Sequence, residues 1–172
     1  MPKTTALTLM IVLALVGCSK NDAESSEPQS GDGSGSVVKG SDAAMPTVWE
    51  AVRVWTRQPP TIDRVAAELE GVIMARTSSQ AIMHYDGYRV ILTTPGDMVT
   101  RIVFQFDPGT RPTIYQFTET YGMAKEMPRG MLYTYEAPTT GQKINILART
   151  EAMPAQESTE VLGLVIEGAR VR

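Results

Sequence analysis

The chain has 172 residues, of which 16 are Lys or Arg and 19 are Asp or Glu, a formal net charge of −3 with 42% apolar residues. That length holds one domain once a polar N-terminal stretch is set aside, and the basic residues Arg53, Arg57, Arg64, Arg76, Arg89, Arg101 and Arg111 stand singly along the sequence, which argues against a nucleic-acid surface. One cysteine, Cys18, and one histidine, His84, exclude an intrachain disulfide, a cysteine cage and a two-histidine metal site, so no metal or cofactor is expected.

Lys3 precedes an apolar run, Ala6 to Val16, interrupted only by Thr8. As a helix it would span roughly 16 Å, about half a bilayer core, so it reads as the h-region of a signal peptide and not as a membrane span. The run ends in Leu15-Val16-Gly17-Cys18. These four residues resemble the bacterial lipobox, with residues 1–17 as the leader and Cys18 as the lipidated N-terminus. The resemblance implies a diacylglycerol thioether on Cys18 and retention in the cell envelope. Ser19 after the cysteine implies an outer-membrane lipoprotein facing the periplasm, and a Gram-positive cell-membrane anchor is the alternative. Acyl chains contribute about 0.8 kcal/mol per buried methylene, enough for two or three chains to hold the protein without a membrane-spanning helix.

Residues 18–44 follow as a tether. Ser19 to Ala44 holds seven Ser, four Gly and five acids, with Val37 and Val38 its only large apolar residues, too little to form a core. Such a linker has a root-mean-square span of about 28 Å and an extended reach of roughly 85 Å. Gly31-Asp32-Gly33-Ser34-Gly35 within it lacks the preceding strand and following helix that a phosphate loop requires.

Residues 45–172 are expected to form one α+β domain. Val48, Ala51, Val52 and Trp55 recur at helical spacing up to Pro59-Pro60. Thr61 is placed to cap a second helix with Ile62, Val65, Ala66 and Leu69 on one stripe and Gly71 at its C-terminal turn. The period then changes to alternation: Gln80–Tyr85 and Tyr88–Thr93 flank Asp86-Gly87, the two-residue signal for a type I′ hairpin turn with φ > 0 at both positions, and Met98–Phe106 supplies a third strand. Pro112-Thr113-Ile114 echoes Pro60-Thr61-Ile62, Gly122 echoes Gly71, and 131–136, 142–149 and 160–167 read as three more strands. The expected architecture is therefore helices on one face of an antiparallel meander sheet, with a tandem αβββ repeat or two chance αβββ runs as the alternatives.

Nothing in this half supplies a catalytic constellation. His84 lies in a strand between Met83 and Tyr85, no Gly-x-Ser-x-Gly elbow exists, Glu68 and Glu70 are two apart on a helix, and no distance fixes Glu157, Glu160 and Glu167 as an acid/base pair. The ten methionines are spread from Met1 to Met153 without a metal-binding cluster, so packing is their default role. The aromatic residues offer more. Tyr133 and Tyr135 share one strand face and Tyr85 and Tyr88 flank the hairpin turn, so these four are either a tyrosine-rich docking surface or rings packed between helices and sheet.

The run Thr-Ile-x-x-Val-x-x-x-Leu-x-Gly followed by alternating strands resembles the modules of SmpA/OmlA outer-membrane lipoproteins and of the β-lactamase-inhibitor-protein-like fold, over about residues 45 to 107 and in a fainter copy to 167. Leu69-Glu70-Gly71-Val72 lacks the proline that usually ends that family's helix, and no functional residue is carried over. The resemblance implies a non-catalytic binding or assembly module with an envelope protein as partner. A small-ligand or lipid-binding lipoprotein is the alternative, and a hydrolase is the least supported reading.

Overall fold

A computed structural model describes residues 43–56, 60–96 and 98–168. The lipobox resemblance at Cys18 and the tether up to residue 42 fall outside these residues, whereas Ala44, expected as the tether's last residue, is helical. The first helix, α1 (Ala44–Trp55), starts one residue ahead of the expected domain boundary, and Ala44, Val48, Ala51, Val52 and Trp55 turn one stripe inward. In α2 (Ile62–Glu68) the Thr61 side chain accepts from the backbone N–H of Arg64, so one of the helix's orphan donors is satisfied and the chain enters at a fixed angle. Its exit differs from expectation. Glu70, not Gly71, takes the left-handed conformation, with φ 51°. Gly71 is needed for a different reason, since a Cβ there would run into the Tyr85 hydroxyl and the Met83 sulfur.

Eight antiparallel strands follow: β1 (Ile73–Arg76), β2 (Gln80–Tyr85), β3 (Tyr88–Thr93) and β4 (Arg101–Phe106), then α3 (Ile114–Tyr121), then β5 (Lys125–Met127), β6 (Gly130–Glu136), β7 (Lys143–Thr150) and β8 (Val161–Gly168). They form one sheet in the order β1-β2-β3-β4-β8-β7-β6-β5. The sequence reading of three strands after each helix is corrected to four, because short edge strands β1 and β5 pair outside the meanders. Each half winds inward, and the two last strands meet at the centre. No helix among the described residues is long and apolar enough to cross a membrane.

Register decides which side chains meet. One set of rows is Met83, Val90, Phe104, Leu164 and Ala148; another is Ala81, Leu92, Ile102, Ile166, Ile146 and Tyr133. All of these are buried, and they share a single core with the buried residues of α1, α2 and α3. Because side chains alternate along a strand, the residues between them must point the other way.

The two helix entries are fastened alike. The N–H of Val99, two residues ahead of β4, donates to the carbonyl of Pro60 at 2.8 Å, and the N–H of Val161, at the start of β8, donates to that of Pro112 at 2.8 Å. Thr61 bridges to Met98 as Thr113 does to Glu160. Thr113 and Gln116 form a capping box on α3, and Gly122 ends it with φ 79°.

Candidate functional site

Of the four tyrosines read as an alternative docking surface, Tyr88 and Tyr133 are core residues and Tyr85 and Tyr135 pack, partly buried, against that core. Tyr133 is fully buried, its hydroxyl donating to the carbonyl of Ile114 at 3.3 Å and lying 3.2 Å from the Thr118 hydroxyl. Tyr88 is buried and donates to Thr47 Oγ1 at 2.8 Å, and the partly buried Tyr85 stacks on it with ring centroids 4.8 Å apart and donates to the carbonyl of Leu69. Tyr135 is partly buried and meets Trp49 edge-on at 5.5 Å. The odd-numbered positions of β6 point toward the shared core, so a free tyrosine surface is replaced by two aromatic clusters. The hydroxyls of Tyr85, Tyr88 and Tyr133 are each bonded to a helix or its C-cap residue, and the Tyr135 ring meets Trp49 of α1.

Burial fixes the phenols' ionisation. Desolvation first, then the charge of Tyr88, pushes the Tyr85 pKa up to about 12, and desolvation likewise raises those of Tyr88, Tyr121 and Tyr133. A folded-state pKa above the unfolded value leaves the stabilisation intact below pH ~10 and removes it as pH climbs toward 12. Phenolate absorbance during an alkaline titration is therefore expected to show four of the six tyrosines ionising late, together with loss of near-ultraviolet circular dichroism. One ordinary step for all six in a still-folded protein would contradict this packing.

The opposite rows of the sheet make a different surface. Ala75, Ile82, Ile91, Val103, Val165, Leu147 and Leu132 lie side by side on seven successive strands, and the row ends at Lys125 on β5. Six of the seven are partly exposed and Ala75 is exposed, with no described segment over them. At about 4.8 Å per strand the row crosses roughly 34 Å. On one flank runs a polar row of His84, Arg89, Gln105, Gly163, Arg149 and Gly130; on the other, Thr93, Arg101, Glu167, Asn145 and Thr134.

Arginines that stand apart in the sequence thus gather here. The face carries Arg89, Arg101, Lys125, Lys143 and Arg149, with Arg129 in the β5–β6 turn, against Glu136, Glu167 and Glu151. Two of the acids are engaged, Glu167 with Arg101 at 3.1 Å and Glu136 with Lys143 at 3.7 Å. Arg89 donates to Gln105. Arg129 and Arg149 have no side-chain partner among the described residues. Pairing of Gly130 with Arg149 brings those two guanidinium-bearing residues to one end of the sheet.

Two clefts open on this face and both are lined by Arg129 and Arg149. One, of about 360 Å³, has Gly163 in its wall between Gln105 and Arg149, with Glu151 among its lining residues. A Cβ on Gly163 would lie 2.8 Å from the Phe104 carbonyl oxygen, so backbone contact between β4 and β8 requires glycine and leaves the wall bare. The other, of about 420 Å³, is lined by Leu132, Leu147 and Val165 as well as Arg101.

His84, on the flanking row, lies opposite Arg89 and is exposed. Glu160 pairs with Arg111 at 3.2 Å and Glu167 with Arg101, so these acids sit in separate ion pairs rather than opposing one another. The outward apolar row was hidden in the sequence because contiguous runs such as Ile102-Val103-Phe104 are apolar on both sides of a strand. Arg129 and Arg149 were missed because nothing local joins residues twenty apart. Comparison with protein-family models, curated proteins and solved structures found no match.

Proposed function

We propose that this chain is a lipid-anchored protein of the bacterial cell envelope that acts without catalysis, as a protein-binding or assembly module. In this reading Cys18 carries the lipid, the anchor lies in the outer membrane facing the periplasm, and residues 18–44 give the domain reach. The partner is another envelope protein, met by the open side of the sheet and not by its tyrosines. The observation that carries the reading is the aliphatic row across seven strands with no described segment over it. With its flanking rows the face covers roughly 700 Å², close to the ~800 Å² that each partner contributes to a standard interface.

The domain itself is a tandem repeat of a helix followed by four strands, with all three helices on the buried face. The mirrored strand order, the matched Thr61 and Thr113 helix entries, and the paired bonds from Val99 to Pro60 and from Val161 to Pro112 support this reading. Duplication doubles a four-stranded face into a single platform wide enough for a protein.

Photo-crosslinking from living cells tests the proposal. A photoreactive residue at Leu147 or Val103 is expected to yield one discrete crosslinked product, and the same residue at exposed Tyr115 or Met123 is expected to yield none of that product. Equal products from both sets of positions, or none from the sheet face, would overturn it.

A further inference from the structure

We propose that the open face receives a segment of another protein that carries an apolar strip bordered by carboxylates, with Arg129 and Arg149 taking those carboxylates. This deepens the protein-binding reading above and rests on it. The face is basic although the whole chain is acidic, at −3. Six basic residues stand there against three acids, of which Glu136 and Glu167 are already paired and Glu151 lines the first cleft, whereas Arg129 and Arg149 have no side-chain partner among the described residues. Guanidinium groups bind carboxylates through two parallel hydrogen bonds, so two of them beside a leucine and valine row select for anionic and apolar groups a few ångströms apart.

Other occupants fit less well. A second copy of the chain would set arginine against arginine across the interface, a repulsive arrangement. A bilayer is bound by protruding Trp, Phe or Leu side chains, but the apolar residues here are partly buried among their row neighbours, and the space beside Arg129 and Arg149 is recessed. A single nucleic-acid strand needs stacking rings, and these outward rows contain no Phe, Tyr or Trp, with His84 their single ring. Side chains on a protein segment can enter both clefts while its backbone follows the row.

Fluorescence anisotropy with the full chain tests this, using two synthetic amphipathic helices of about 18 residues that share one leucine face, edged by glutamates in one and by lysines in the other. The glutamate peptide is expected to bind about tenfold or more tightly than the lysine peptide at low salt, with the advantage shrinking at high salt. Arg129→Glu combined with Arg149→Glu is expected to reverse that preference with circular dichroism unchanged, both positions being exposed. Failure to bind either peptide, or a preference unmoved by the double charge reversal, would overturn the proposal. Arginine-dependent binding to phosphatidylglycerol vesicles without peptide binding would overturn it too. If crosslinks from Leu147 persist unchanged in the charge-reversed variant, the partner-binding reading stands and only this assignment fails; absence of those crosslinks in the unaltered chain removes the reading beneath it.

Discussion

Phe104→Ala is expected to lower the unfolding free energy by about 3–5 kcal/mol, the usual cost of truncating a buried aromatic side chain. Phe104 is fully buried in β4, faces Leu164 on β8 and Val90 on β3, and stacks near Phe106 and Tyr88 with ring centroids 6.1 and 6.0 Å away. Its neighbours on both strands are held by the sheet ladder and cannot collapse into the space. For a domain whose total stability lies in the range of about 5–15 kcal/mol, such a loss is a large share. Chemical denaturation should show the midpoint falling while the slope is preserved. A variant within ~1 kcal/mol of the parent would mean that this point is not the centre of the core.

Tyr133→Ala is expected to cost a similar ~3–5 kcal/mol, and Tyr133→Phe about 1 kcal/mol. The pair separates two contributions. The ring packs against Phe117 and Tyr121 at centroid distances of 6.0 and 6.3 Å, whereas the hydroxyl serves the carbonyl of Ile114 and the Thr118 side chain at the two ends of α3's first turns. Alanine loses both; phenylalanine keeps the ring and leaves the helix groups without that partner. Urea midpoints for the three proteins measure the difference. Had the ring stood on a docking surface, both substitutions would leave stability within about 0.5 kcal/mol of the parent, and that result would sink the assignment of Tyr133 to the core.

The sequence revealed elements more readily than their partners. Asp86-Gly87 marked the β2–β3 hairpin, but only Gly87 takes a positive φ, 80°, so the turn is not the type I′ form, which needs φ > 0 at both positions. Thr61 and Thr113 marked helix starts because a short side-chain acceptor there satisfies an orphan N–H. Edge strands escaped: β1 has an irregular register between Ile73 and Ala75 and mostly exposed side chains, and β5 has only three residues. Neither length nor alternation could announce them. The identity of the functional face was ambiguous for a related reason. Tyr133 and Leu132 are both plausible surface residues until pairing with Ile146 and Leu147 assigns one to each side.

The inward winding of both halves has a consequence for how the chain assembles. β4 is hydrogen-bonded on one side to β3 and on the other only to β8, whose Ile166 pairs with Ile102 across 64 positions of sequence. Until the last described strand arrives, the first half exposes the N–H and C=O groups of β4 as an open edge, the kind of row that recruits foreign strands. Closure depends on distant pairing, which raises contact order and slows folding. The last described strand is thus the keystone of the sheet, and a molecule cut before Val161 would carry two half-sheets whose innermost edges have nothing to hold.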